Sequence, residues 1–119
     1  METLISQNQI EQLKEKARLM RGDIIQMLAA SKSGHPGGSL SAVELLAYLY
    51  FHKMNIDPSK PNMPERDRFI LSKGHAAPVL YSALTERGYF DKSILTTLRQ
   101  IHSILQGHPD MKKVPGVDM

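Results

Sequence analysis

One segment of this chain reads as a β-strand, and only one. Asp67-Arg68-Phe69-Ile70-Leu71-Ser72 is short, apolar at its centre and rich in β-prone side chains. The periodic segments on either side read as helices. A lone strand cannot build a parallel sheet, and amphipathic helices need a surface on which to bury their apolar faces. The order helix, helix, strand, helix, helix is therefore the opening of an α/β fold whose remainder lies elsewhere. The expectation is a mostly helical, partial domain over residues 1–119.

The helices follow from spacing. Ile10, Leu13, Ala17, Met20, Ile24, Met27 and Leu28 recur every three or four residues, which predicts one long helix from Gln7 to Ala30 with charged residues on its outer face. Gly34-His35-Pro36-Gly37-Gly38 breaks the chain. A second helix should start near Ser39 or Ser41, where Ser41-Ala42-Val43-Glu44 has the form of a capping box, and run to about His52. It is apolar nearly all round, so burial is expected. Three prolines between Asn55 and Pro64 mark a surface loop. Ala76 to Arg87 is helical again and stops at Gly88. Asp91 can cap a further helix through Leu98 or Ile101, and the tail from Gly107 reads as loop.

Several function classes drop out early. The chain has no cysteine, so disulfides and thiolate chemistry are excluded. The longest apolar run, Leu45 to Phe51, is far too short to cross a bilayer. Met1-Glu2-Thr3-Leu4 opens with an acidic residue and lacks the form of a secretory signal, which points to the cytoplasm. The net charge of +3 is spread along the chain, as on an ordinary solvated surface, and does not predict nucleic-acid binding.

The chemistry sits in the histidines. Three of the five follow a glycine directly, at Gly34-His35, Gly74-His75 and Gly107-His108, and two of these continue into proline. Glycine permits a sharp turn or a close approach, and proline fixes the next φ. An imidazole between them is aimed from a loop, where it can donate, accept or shuttle a proton near neutral pH. Three such loops predict one polar site assembled from distant parts of the chain. Zinc is not expected: there is no cysteine and no H-x-x-x-H or H-E-x-x-H pair. Gly34 to Ser39 has the glycines of an anion-binding turn but lacks the P-loop lysine, and G-x-G-x-x-G is absent. His52 and His102 fall in helical stretches and read as packing or surface residues.

At this point the motifs resemble a family. Ser33-Gly34-His35-Pro36-Gly37-Gly38-Ser39-Leu40-Ser41 is similar to the first signature of transketolases. Arg66 to Ala77, ending Ser72-Lys73-Gly74-His75-Ala76-Ala77, is similar to the second. Gln106-Gly107-His108-Pro109-Asp110-Met111 with Pro115-Gly116-Val117-Asp118 is similar to the third. Order and spacing match over about residues 15–119, and Gly-Gly-Ser-Leu-Ser resembles the short, split transketolases whose halves are separate polypeptides.

The resemblance implies a thiamine-diphosphate-binding fold and transfer of a two-carbon ketol unit from a ketose to an aldose, in the pentose phosphate pathway. It implies thiamine diphosphate and Mg2+ as cofactors and sugar phosphates as substrates. A C-terminal subunit or remainder and a dimer partner are implied as well, and neither nucleic acid nor a membrane. By the same resemblance, His35 contacts the donor sugar's hydroxyls and assists proton transfer, His108 contacts the donor's terminal hydroxyl, and His75 lies beside the cofactor diphosphate. No metal ligand is expected within the chain, because the Gly-Asp-Gly motif that would supply one is not in it. An isolated chain is then expected to be inactive. The competing expectations are a non-catalytic remnant or interaction fragment, and a subunit of a transketolase-like enzyme for another sugar.

Overall fold

The computed structural model describes residues 5–119. The stretch Met1 to Leu4, on which the absence of a secretory signal was read, lies outside the described residues. Four α-helices carry the fold: α1 (Gln7–Ser31), α2 (Pro36–Leu40), α3 (Val43–Tyr48) and α4 (Ala77–Arg87). A π-helical turn (Leu49–Lys53) extends α3, and two 3₁₀ helices cover Gly74–Ala76 and Lys92–Thr97. Among the described residues no helix is long and apolar enough to cross a membrane.

The long first helix forms as its periodicity predicts. Its start is set by Ser6, whose hydroxyl accepts from the Gln9 amide while the Gln9 side chain accepts from the Ser6 amide. This reciprocal pair satisfies two of the donors that a helix start leaves open. The expected capping box at Ser41 does not form. Ser41 Oγ donates to the Gly38 carbonyl, and Glu44 reaches across to Arg21 of α1 at 2.8 Å.

Burial is distributed differently from the sequence pattern. The all-round buried helix is α4, in which every residue from Ala77 to Thr85 is buried. It is the central element, packed by α1, α3 and the 3₁₀ helix Lys92–Thr97. The second apolar helix, α3, buries Val43, Leu46 and Ala47 but leaves Leu45 59% and Tyr48 40% exposed. Gly88, at φ 108°, closes α4 with a left-handed cap, its amide bonding the carbonyls of Leu84 and Thr85.

The expected strand is not seen. Among the described residues there is no strand, and 67–71 runs without regular secondary structure. Its backbone bonds go elsewhere: the Asp67 amide donates to the Asn55 carbonyl at 2.8 Å, and the Phe69 amide donates to Asp118 Oδ2 at 2.9 Å. The alternation that suggested a strand is present, with Ile70 exposed and Leu71 buried, but a ladder needs a neighbouring strand. The predicted helix after Asp91 is also shorter, a 3₁₀ helix ending at Thr97, with Asp91 capping it through the Ser93 amide.

Asp23 departs from the expectation that charges fill the outer face of α1. It is 2% exposed, among Met20, Ile24 and Met27. Its Oδ1 lies 3.1 Å from Lys92 Nζ, which also lies 2.8 Å from Glu86 of α4. Burial, and then the hydrogen bond with Glu86, push the Asp23 carboxyl up to about 7. Burial alone would raise Glu86 too, but its bonds with Asp23 and Lys92 outweigh that and lower it. Below about pH 7 a proton on Asp23 is therefore favoured, where it can be shared with Glu86, and Lys92 lies against both carboxyls.

The shared proton has a pH signature. A raised folded pKa on Asp23 means the folded state holds a proton that the unfolded chain releases near 3.8. That stabilisation is full below 3.8 and is lost as pH rises to about 7. The lowered Glu86 acts oppositely, its contribution fading as pH falls below 4.5. The expected result is greatest stability from this cluster near pH 4.5, with a decline of up to about 1.4 kcal/mol per pH unit toward neutrality. Asp23→Asn keeps a donor toward Glu86 and should flatten that decline. Thermal melts of both proteins between pH 5 and 8 measure it, and parallel curves would refute the shared proton.

Candidate functional site

Each of the three Gly-His loops is set by a helix end. α1 finishes at Lys32 in the left-handed region, φ 54°, and Gly34 follows at φ 91°. His35 is the extended residue before α2 (φ −121°), and Pro36 begins the helix where a missing N–H costs nothing. His35 makes no side-chain capping bond and is exposed. Gly74-His75-Ala76 is a 3₁₀ turn running directly into the buried α4. The third loop is anchored by α4 as well: Tyr81 Oη donates to the Gln106 carbonyl at 2.7 Å, just before Gly107-His108.

The loops touch one another in order. A methyl group on Gly38 would lie 3.6 Å from His75 Nε2, so the second loop's ring covers the first loop's backbone. A methyl on Gly74 would lie 2.6 Å from His108 Cδ2, a separation no real contact tolerates. Glycine at position 74 is what lets the third loop's ring close over the second. Lys73 Nζ donates to the Gly38 carbonyl at 2.9 Å and to Ser41 Oγ at 3.1 Å. The buried Ser39 hydroxyl donates to the Ala76 carbonyl. Arg99 Nη1 donates to Ser33 Oγ at 3.2 Å, and its guanidinium lies beside both Gly34 and Gly107.

The structure therefore brings His75 and His108 into one contiguous surface with the first loop, which carries His35 three residues before Gly38. All three rings are exposed. His52 and His102 are elsewhere: His52 packs against the Tyr48 ring at 5.4 Å, and His102 is exposed in a turn at φ 69°, not in a helix. Among the described residues no group of three or more His, Cys, Asp or Glu could hold a metal ion.

Two contributors escaped the sequence reading. Lys73 sits inside the second signature, next to Gly74, yet a lysine beside a loop histidine is not by itself a signal. Arg99 lies between signatures, and nothing in the local pattern marks it. Together they place an ammonium and a guanidinium on the surface that the three loops form. Such a surface can hold an anion and can donate or accept protons at sugar-like hydroxyl groups.

The family model described as transketolase, thiamine diphosphate binding domain, matches residues 10–119. A 6-deoxy-6-sulfo-D-fructose transketolase subunit from Clostridium sp. (strain MSTE9) is 45% identical over 115 residues, 97% of this chain and 42% of that protein. Transketolase from Homo sapiens is 44% identical over 107 residues, 90% of this chain and 17% of its own. The solved structure of transketolase from Leishmania mexicana superposes with a TM-score of 0.84 at 31% identity, covering 88% of this chain and 16% of that one. The chain thus spans less than half the length of these relatives. With its three Gly-His loops in one surface and the family match covering residues 10–119, the chain belongs to the transketolase family, in its thiamine-diphosphate-binding N-terminal domain.

Proposed function

We propose that this chain contributes one wall of a transketolase active site, completed by a further segment or subunit to give the rest of the α/β domain and its dimer. The completed enzyme transfers a two-carbon ketol unit between sugar phosphates. The observation that carries the reading is the contact series of the loops, His75 over Gly38 and His108 over Gly74. Exposed imidazoles flanked by Lys73 and Arg99 fit an anionic cofactor and a polyhydroxylated substrate. When bound, thiamine diphosphate supplies the electron sink for breaking a ketose C2–C3 bond.

The chain's own residues then divide the remaining work. His75 donates to the diphosphate. His35 holds a donor-sugar hydroxyl and takes its proton as the carbon–carbon bond breaks, a task suited to an imidazole, which has both a donor and an acceptor nitrogen. His108 holds the donor's terminal hydroxyl. Magnesium, which offsets the diphosphate charge, would take its ligands from the remainder of the enzyme. The chain alone is then inactive.

The 45% identity with a 6-deoxy-6-sulfo-D-fructose transketolase subunit supports a second reading, in which the donor is a modified sugar. The test is to assemble the chain with a C-terminal remainder from such a relative. The product is assayed with an aldose phosphate acceptor and either an ordinary or a sulfonated ketose donor. Two-carbon transfer from the first donor supports the first reading, and transfer from the second alone supports the other. No transfer from either donor overturns both. For the chain alone, calorimetry with thiamine diphosphate and magnesium should show no binding tighter than about micromolar. Sub-micromolar binding would contradict the division of the site between segments.

A further inference from the structure

We propose that Arg99 is a positioning residue of this site, a planar staple that holds the first and third Gly-His loops together so that His35 and His108 act on one substrate. This rests on the roles just given to those two histidines. The geometry is independent of them. A methyl on Gly34 would lie 3.8 Å from both Nη1 and Nη2 of Arg99. A methyl on Gly107 would lie 3.4 Å from Nε and 3.6 Å from Nη2. One guanidinium therefore lies against the residue before His35 and the residue before His108. These are ordinary packing distances, so the guanidinium lies beside both loops without crowding them (the tight neighbour of Gly34 is Leu28 Cδ2, at 2.9 Å), and Nη1 fixes the contact through its bond to Ser33 Oγ.

The backbone under Arg99 is committed to this placement. Its φ is 64°, in the left-handed region that a side chain with a Cβ seldom adopts. Its amide donates to the Leu105 carbonyl at 2.7 Å, closing the turn that precedes the third loop. Among the described residues the Arg99 side chain makes no ion pair, and its single hydrogen bond is the one to Ser33. An exposed arginine with no carboxylate partner, held in an unfavourable backbone conformation between two functional loops, is not explained as a surface ion pair. The flat, fixed fork of the guanidinium can cover two backbones at once, whereas a lysine ammonium is a point charge on a flexible stem.

The test uses the chain assembled with its remainder. Arg99→Ala should lower kcat about 10- to 100-fold, within the range that positioned groups contribute. The KM for thiamine diphosphate should stay within about twofold, because the contacts of Arg99 are with Ser33, Gly34 and Gly107, in the first and third loops. Arg99→Lys should recover little of the loss, and added guanidinium ion should restore part of the Arg99→Ala turnover. A role in overall stability alone would not produce that rescue. Ring resonances of 13C-labelled histidine in the same assembly provide a readout without turnover. Those of His35 and His108 should both move in Arg99→Ala, while that of His75 should not. If the unmutated assembly transfers no ketol unit yet both resonances move, the proposed function falls and the staple stands. If kcat stays within twofold, or neither or only one of the two resonances moves, the staple is refuted. Should Arg99→Ala fail to fold, Arg99→Lys with Ser33→Ala gives the same split, since neither change empties the site.

Discussion

In the assembled enzyme, His35→Ala is expected to lower the proposed ketol transfer by about 10²- to 10⁴-fold, the usual contribution of a positioned acid–base group. His108→Ala should fall in the same range. His75→Ala should instead weaken retention of thiamine diphosphate, with turnover largely recovered at saturating cofactor. The expectation follows from where the rings stand. His35 is exposed immediately before α2, free of any capping bond that would occupy it. His108 and His75 lie over glycines of the neighbouring loops, so each is held within the same contact series. His52, against Tyr48, and His102, in an exposed turn, stand outside it. Alanine at either of those positions should leave kcat within about twofold. Steady-state kinetics at saturating cofactor, with thermal melts to verify folding, measure all five. If His52→Ala or His102→Ala costs as much as His35→Ala in a folded protein, the assignment of the site to the Gly-His loops is wrong.

The parts of this arrangement that were legible in the sequence are those governed by local rules. The limits of α1 follow from a 3.6-residue apolar repeat, and the stop of α4 at Gly88 from the one residue type at ease at φ 108°. The Gly-His pairs marked the loops because glycine and proline act on the backbone where they stand. What escaped depends on tertiary partners. Phe69, Ile70 and Leu71 have the composition of a strand, but the segment's backbone is held by the Asp67–Asn55 bond and by the Asp118 carboxylate on the Phe69 amide, not by another extended segment. Ser41 and Glu44 have the spacing of a capping box, but Lys73 and Arg21 compete for their side chains. Asp23 on a helix looks like a solvated charge until Glu86 and Lys92 enclose it. Arg99 carries no signal of its own, since its significance lies in Gly34, far from it in the chain, meeting the loop at Gly107.

The largest stability effect is expected at Asp118, in the last stretch of the third signature. Its carboxylate is 7% exposed and serves two partners. Oδ1 accepts from Arg66 Nη2 at 3.0 Å, and Oδ2 accepts from the Phe69 amide at 2.9 Å. One buried side chain thus ties the end of the third signature to the beginning of the second and takes the place of the strand partner that 67–71 lacks. Asp118→Ala leaves a mostly buried guanidinium, its side chain 18% exposed, without its anion and a backbone donor without an acceptor. Removing one member of a buried pair typically costs about 3–5 kcal/mol, a large fraction of the total stability of a domain this size, about 5–15 kcal/mol. Asp118→Asn keeps one carbonyl acceptor and loses the charge, so a smaller loss is expected. Pairing Asp118→Ala with Arg66→Met should be less harmful than the sum of the two, because the second change removes the stranded cation. Urea denaturation of the four variants and the unmutated chain reads this directly through their midpoints. An Asp118→Ala loss below about 1 kcal/mol, or strict additivity with Arg66→Met, would show that the extended segment before Gly74-His75 is held by something other than this carboxylate.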